Sequence, residues 1–269
     1  MAKPKRVKRI LNVEPSRNTD RDWRFEHAKD AGVLPTTRAA IPASKDLREP
    51  AWWKIGDQGS TGSCVGWASG DSVMRWHFVK AGRMTTDQRL SPRFLWMASK
   101  ETDPSTSQPT TFIESAGTTL KSALDIARKF GVVRDSVLPF ASGKLYGGQA
   151  KTFYAAASLR RIASYFNLSL GVGHDLGDWR TWIATKGPIL VRLDVDRTWD
   201  EAKATGGNMD VYRPETTRGG HAVALVGYTP DRFIVRNSWG TTGWGDEGFG
   251  YASLAYAQDA FTEAYGVSL

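Results

Sequence analysis

The chain has 269 residues, of which 41% are hydrophobic and 11% aromatic, and this composition excludes a mainly disordered, collagen-like or coiled-coil protein. No run approaches the roughly eighteen apolar residues of a membrane-spanning helix, so we expect no membrane span. The net charge is +8, and most of the excess lies in residues 1–24.

Residues 1–41 form a basic N-terminal arm with little apolar periodicity. The arm lacks the long apolar run of a standard secretory signal, so the location stays open between the cytoplasm and export by another route. Its charge is typical of a solvated tail or a short pro-segment. The same charge leaves open an anionic partner, either nucleic acid or a membrane surface.

The next part of the chain predicts helices. A loop rich in Gly and Ser precedes Cys64, and apolar residues then recur at helical spacing. Ser91 is expected to cap a helix that begins at Pro92, and Thr118 or Thr119 is expected to cap the next one. The predicted helices cover about 64–80, 92–100, 118–130 and 174–186.

Strand-like runs dominate the last third of the chain. The predicted strands are Ile189–Val195, Ala222–Tyr228, Arg232–Arg236 and Phe249–Ala252. Residues 229–231 predict a tight turn that makes the middle two strands a hairpin. Helices first and strands later predict an α+β protein with two lobes rather than alternating βαβ units.

Cys64 is the only cysteine, which excludes an internal disulfide and raises the question of reactivity. It lies in the first turn of a predicted helix, where the helix dipole favours the nucleophilic thiolate. Among the four histidines, His221 is the candidate base, because it follows two glycines and opens a predicted strand. We interpret His27, His77 and His174 as structural or solvated.

The predicted hairpin places a third polar side chain near His221. Antiparallel pairing makes Asn237, which follows the second strand, a neighbour of His221, which opens the first. The Asn237 side chain is then able to orient the imidazole, with Trp239 covering the hydrogen bond. Acyl transfer also needs donors for an oxyanion, and the Gln58 amide and the Cys64 N–H are candidates. The chain shows no cluster of metal ligands, so we expect no metal and no cofactor.

Three segments in this order resemble the papain family of cysteine peptidases: QGSTGSC at 58–64, GHAVALVGY at 220–228 and NSWGTTGWGDEGFG at 237–250. The segments IPASKDLR at 41–48 and GTTLKSALDIARKFGVV at 117–133 are also similar to the family. The resemblance implies a papain-like two-lobed fold. A helical lobe over about 56–150 and an antiparallel, barrel-like β lobe over about 151–265 would form a peptidase domain at 42–269, with the active site between them.

The resemblance also implies roles. Cys64 would be the nucleophile, His221 the base and then the acid, Asn237 the orienting group and Gln58 the oxyanion donor. The implied substrate-binding residues are Gly117, Thr118, Thr119 and Ala222 upstream of the cut, and Trp239 and Trp244 on the leaving-group side. Protein or peptide substrates follow, with the arm at 1–41 as a short pro-segment that contacts the cleft.

Three positions depart from the family pattern. Thr61 stands where a disulfide cysteine is common, Val65 where an aromatic residue usually follows the nucleophile, and Gly220 where Asp or Asn often precedes the histidine. The first departure is typical of a disulfide-free bacterial, archaeal or viral branch. We expect a cysteine endopeptidase; a catalytically silent peptide-binding protein and an acyl-transfer or deamidating enzyme stay open.

Overall fold

The computed structural model describes residues 8–35, 40–102, 116–142, 149–169 and 175–269. The described helices are α1 (Phe25–Asp30), α2 (64–80), α3 (Pro92–Thr102), α4 (Leu120–Lys129), α5 (Ala150–Ser158), α6 (Leu176–Thr185), α7 (Arg197–Glu201) and α8 (Leu254–Ala260). Short 3-10 turns lie at Thr19–Arg21, Phe140–Ser142 and Pro214–Thr216. In these parts of the chain, no helix is both long enough and apolar enough to cross a bilayer.

The predicted helix starts are confirmed for α3 and α4. The Ser91 hydroxyl accepts from the Phe94 N–H at 3.1 Å, and the Thr119 hydroxyl accepts from the Ser122 N–H at 3.1 Å. Both contacts satisfy a backbone donor that has no partner within the helix. Helix α6 is capped by Asp175, and the predicted start at His174 lies outside the described residues.

Helix α2 carries Cys64 at its first position and consists of three segments. Cys64–Gly66 and Arg75–Lys80 are α-helical, whereas Trp67–Met74 has the wider π-helical winding. The Ser69 hydroxyl donates to the Val65 carbonyl oxygen at 2.6 Å and competes with the backbone ladder there. A polar side chain at this buried position gives a local reason for the widened turn.

Within the described residues, eight strands form the sheet: β1 (Lys45–Asp46), β2 (Ser164–Asn167), β3 (Ile189–Val195), β4 (Asn208–Met209), β5 (Gly219–Tyr228), β6 (Arg232–Arg236), β7 (Phe249–Ser253) and β8 (Phe261–Ser268). Their order is β2-β8-β3-β5-β6-β7-β4, with β1 added to β5. The four predicted strands are confirmed as β3, β5, β6 and β7.

The expectation of an antiparallel lobe holds for every strand pair but one, whereas the expectation of a barrel-like lobe is wrong. Strand β4 pairs with β7 in parallel, so the sheet is mixed. Its two ends, β2 and β4, do not pair with each other, so the described sheet is open. Closure needs edge strands that meet along a common length, and these edges have only four and two residues.

Part of the N-terminal arm belongs to the folded core, which contradicts its interpretation as a solvated tail. Phe25 and Ala28 of α1 are 4% and 0% exposed, and Leu34 is 2% exposed. The N–H of Asn167 in β2 donates to the Trp23 carbonyl oxygen at 2.7 Å, which ties this part of the arm to the sheet. Residues 19–35 therefore pack as a structural element of the β lobe.

We predict that Phe25→Ala lowers the free energy of unfolding by about 3–5 kcal/mol, because the substitution leaves a cavity beside the sheet. Denaturant unfolding of the full chain measures the change. Leu159→Ala, at a side chain that is 67% exposed, is the matched control and should change stability by less than about 0.5 kcal/mol. Equal effects of the two substitutions would contradict the packing of the arm.

Candidate active site

His221 and Asn237 meet through one hydrogen bond. His221 lies in β5 and Asn237 directly follows β6, and the antiparallel pairing of these strands brings the two side chains together. The imidazole Nε2 lies 2.8 Å from Asn237 Oδ1. The same oxygen accepts from the Ser238 N–H at 2.8 Å, so it is the acceptor and Nε2 carries the proton. The other ring nitrogen, Nδ1, is buried and has no hydrogen-bond partner within the described parts of the chain.

Cys64 begins α2 and is 0% exposed. Burial raises the pKa of its thiol to about 11, although backbone N–H groups, the one of Ala222 first among them, act in the opposite direction. The contact with Ala222 puts the sulfur against the residue that follows His221. Cys64 therefore lies next to the β5 residue that follows His221, while the roles of nucleophile and base stay predictions.

The ionisation of His221 follows from its surroundings. Burial lowers its pKa to about 4, the hydrogen bond to Asn237 opposes that change, and the positive charge of Arg9 lowers the pKa further. The ring is therefore neutral at physiological pH in this arrangement, with a lone pair on Nδ1.

Gln58 is fully buried and contacts Ser238, the residue that follows Asn237. Its Oε1 accepts from the Ser238 hydroxyl at 2.9 Å, and its Nε2 donates to the Thr61 carbonyl oxygen at 3.0 Å. The Thr61 hydroxyl donates to the Gln58 carbonyl oxygen at 2.7 Å, so threonine closes this loop by hydrogen bonds. The side-chain amide nitrogen of Gln58 carries two protons. One is donated to Thr61, and the other is the candidate donor to an oxyanion.

Aromatic rings cover the histidine. The Trp239 ring centroid lies 4.9 Å from that of His221, and Trp244 lies behind it at 6.2 Å. Trp199 packs between them, 4.4 Å from Trp244 and 5.7 Å from His221. Sequence reasoning missed Trp199, because no motif links α7 to this cluster.

Residues 8–18, which we call the strap, cross the groove between the lobes. The Val13 N–H donates to the Gly220 carbonyl oxygen at 3.1 Å, and the Glu14 N–H donates to the Thr118 carbonyl oxygen at 3.3 Å. A Cβ atom on Gly117 would lie 2.0 Å from the Asn12 carbonyl oxygen, and one on Gly220 would lie 2.1 Å from that of Val13. The two glycines thus permit a close approach of the strap to both lobes.

The two ends of the strap are held by side chains. Arg9 contacts Asp57 at 2.5 Å and donates to the Trp239 carbonyl oxygen at 3.1 Å. At the other end, the Ser16 N–H donates to Glu263 at 2.8 Å. Neither end was predicted from the sequence, which offers no pattern for these partners.

The other residues considered from the sequence, Thr118, Thr119, Ala222 and His77, are all buried. Thr118 is buried, while the Thr119 hydroxyl caps α4. Ala222 is buried and pairs with Arg192 in β3. His77 is buried in α2, and burial lowers its pKa to about 4. Among the described residues, no three His, Cys, Asp or Glu side chains gather as a metal-binding group.

A family model described as papain family cysteine protease matches residues 41–264. The chain belongs to the papain family of cysteine proteases. Membership of this family identifies it as a cysteine peptidase, and the papain-like α+β fold predicted from the motifs is confirmed. A search of curated protein sequences finds no significant match.

Solved structures with the papain-like fold align over most of the chain. Xylellain, a cysteine protease from Xylella fastidiosa, has a TM-score of 0.75 at 19% identity, covering 100% of this chain and 99% of its own. Digestive procathepsin L2 proteinase from Tenebrio molitor larval midgut has a TM-score of 0.70 at 22% identity, covering 97% and 78%. Procathepsin B S9 from Trypanosoma congolense has a TM-score of 0.64 at 16% identity, covering 91% and 88%.

We predict that the His221 ring of the full chain titrates near pH 4 and that Arg9→Met raises its pKa, because a nearby cation disfavours the imidazolium. Heteronuclear NMR of the histidine rings across pH 3–8 measures both values. His77 is similarly buried, but the charge that acts on it is Lys186 and not Arg9, so its midpoint near pH 4 should not change. A His221 midpoint near 6.5 in both proteins would contradict the burial argument.

Proposed function

We propose that the chain is a cysteine endopeptidase that hydrolyses peptide bonds through a thioester acyl-enzyme. Cys64 is the nucleophile, His221 the base and then the acid, Asn237 the orienting group and Gln58 an oxyanion donor. One observation carries the proposal: Nε2 of His221 is anchored on Asn237, while the unpartnered Nδ1 remains to exchange a proton with the neighbouring thiol.

The reaction follows from these groups. Nδ1 of His221 takes the thiol proton, and the sulfur of Cys64 attacks the carbonyl carbon. The oxyanion accepts from the Cys64 N–H and from the second proton of Gln58 Nε2. His221 then protonates the leaving amine as the C–N bond breaks, which leaves a thioester. Water loses a proton to His221, attacks the thioester carbonyl and releases the carboxylic acid and the thiol.

The course of the strap supports an endopeptidase. A continuous stretch of polypeptide from Arg9 to Ser16 already lies in the groove, with Arg9 at Trp239, Asn12 at Gly117 and Glu14 at Thr118. A groove that holds a chain on both sides of Cys64 is able to take the interior of a longer polypeptide, whereas an enzyme that removes single terminal residues needs one end blocked.

We also infer that the strap inhibits the enzyme without being cut in place. Arg9 contacts Trp239 on the proposed leaving-group side, and Asn12 lies against Gly117 on the upstream side. From its N-terminal to its C-terminal end, the strap therefore runs from the leaving-group side to the upstream side. A substrate runs in the opposite direction, because its upstream residues come first along its chain. The reversed course turns the carbonyl groups of the strap away from the orientation that attack requires.

The decisive experiment uses the chain with Gly220→Ala, whose added Cβ displaces the strap, and compares its cleavage of a peptide library with that of the same chain carrying Cys64→Ala, with products identified by mass spectrometry. We expect hydrolysis products from the first and a loss of about 10⁴-fold or more in the second. Ligated or deamidated products would favour another acyl transfer. Peptide binding without any product, in a chain whose Cys64 resists thiol-directed probes, would favour a silent binding protein.

We predict that Gly220→Ala in the full chain raises kcat/KM at least about tenfold, because the added Cβ displaces the strap at Val13. Gly243→Ala is the matched control: its Cβ would meet only the Trp239 carbonyl oxygen at 3.9 Å, an ordinary contact. Equal activity of both variants and the parent chain would rule out inhibition by the strap.

We further infer that activation requires release of the strap only, since residues 19–35 pack against the β lobe. The domain boundary at residue 42 stays a prediction, as does an anionic partner for the N-terminal charge. Lys3, Lys5 and Arg6 lie outside the described residues.

A further inference from the structure

One buried side chain connects three segments that carry the proposed catalytic residues. Arg236 is the last residue of β6, directly before Asn237, and its side chain is 1% exposed. Its Nη2 donates to Asp71 Oδ2 at 3.2 Å and to the Lys54 carbonyl oxygen at 2.9 Å. Its guanidinium lies over the Trp53 ring, 4.8 Å from the centroid.

Each partner of Arg236 belongs to a different part of the site. Asp71 lies on α2, about two helical turns beyond Cys64, and its side chain is also 1% exposed. Lys54 opens the loop that leads to Gln58. A shift of β6 relative to α2 or to this loop therefore breaks a buried hydrogen bond, and this cost resists any change in the spacing of the three segments.

The charges strengthen this connection. Arg75 and Arg89 also contact Asp71, at 3.2 Å and 3.0 Å, so three guanidinium groups surround one carboxylate. Asp71 is buried, but these arginines hold its pKa below the ordinary value. Burial lowers the pKa of Arg236 to about 10, so the pair stays ionised at neutral pH.

A buried ion pair is a poor source of net stability, because desolvation of both charges offsets most of their attraction. Its geometry is nevertheless strict, since a displaced partner leaves an uncompensated charge. The pair at Asp71 and Arg236 lies where one element from the helical lobe meets one from the β lobe. At that location, the ion pair is suited to fix the distance between α2 and β6 rather than to raise the free energy of unfolding.

We propose that Arg236 and Asp71 are positioning residues, which hold Asn237 and through it the His221 ring within reach of the Cys64 sulfur. The inference rests on the proposed function, in which proton exchange between sulfur and ring starts the reaction. A displacement of about 1 Å at such a site costs about 10²-fold in rate.

The test uses the full chain with Gly220→Ala, so that the strap does not cover the groove. Arg236→Met, Arg236→Lys and the double variant Asp71→Asn/Arg236→Met are compared with this parent. Two readouts are taken: kcat and KM on a peptide, and the pH dependence of Cys64 alkylation by iodoacetamide. Cys64 is the only cysteine, so the alkylation reports on this site alone.

We expect Arg236→Met to lower kcat about 10²-fold with KM within about threefold, because the substrate-binding residues are untouched. Once Gly220→Ala has displaced the strap, water reaches the site and we expect a thiolate–imidazolium pair in the parent, so its alkylation should be nearly independent of pH around neutrality; in the variant it should rise steadily with pH. Arg236→Lys should recover part of kcat, since an ammonium group keeps the charge.

Arg236→Met itself separates positioning from folding, because Asp71 keeps Arg75 and Arg89 as partners in this variant and the chain should stay folded. The double variant also removes the carboxylate that Arg75 and Arg89 contact, so we expect it to unfold at a lower temperature than Arg236→Met and to keep the low kcat. A double variant with the kcat and the alkylation profile of the parent would overturn the proposal, as would an unchanged alkylation profile in a folded Arg236→Met.

Arg48→Met is the matched control. Arg48 also pairs with an aspartate, Asp46 at 2.7 Å, and also lies over an aromatic ring, but it follows β1, which pairs with the end of β5 that is remote from His221. It should leave kcat and alkylation unchanged. A parent chain without peptide hydrolysis would count against the proposed function, whereas the alkylation profiles would still support or overturn the positioning role.

Discussion

Neither Cys64 nor His221 has any exposed surface, and this exclusion of water determines the protonation of both groups. Burial raises the pKa of the thiol and lowers that of the imidazole, so the proton stays on sulfur across the neutral range. Arg9 of the strap adds to this effect, because its positive charge lowers the pKa of the imidazole further.

The site depends on segments that are distant in sequence and adjacent in space. Two backbone hydrogen bonds join the loop before α2 to the segment after β6, from the Gln58 N–H to the Ser238 carbonyl oxygen and from the Gly240 N–H to that of Gly56. The buried side chains of Asp71 and Arg236 add a second connection between the same regions. Local chain geometry thus places Cys64, while contacts between lobes place its partners.

The sequence predicted the parts of the molecule that have local causes. The caps at Ser91 and Thr119, the strands β3, β5, β6 and β7 and the proximity of His221 to Asn237 follow from patterns of a few residues and one hairpin, whereas the eight-residue strand β8 was not predicted. Helix α1 was missed, because six residues carry too little periodicity to distinguish a buried helix from a charged arm. The edge strands β2 and β4 were missed because short strands take their pairing from the rest of the sheet.

The residues of the candidate site also fall into those that local patterns predicted and those that depend on distant contacts. Its central groups were recognisable from ordered motifs, whereas Trp199, Arg236 and the ends of the strap were not. Each of these residues acts through a partner far away in the sequence, such as Asp71 or Glu263. A contact of that kind has no signature along the chain, since either partner alone is an ordinary core or surface residue.

The covalent attachment of the strap to the packed residues 19–35 has a quantitative consequence. While the chain is intact, the strap reaches the groove at the high effective concentration of a short tether, of millimolar order. A single break between the strap and α1 would turn it into a separate peptide, diluted to the concentration of the protein itself. A weakly bound segment is thereby able to act as a strong inhibitor before such a break and a negligible one afterwards.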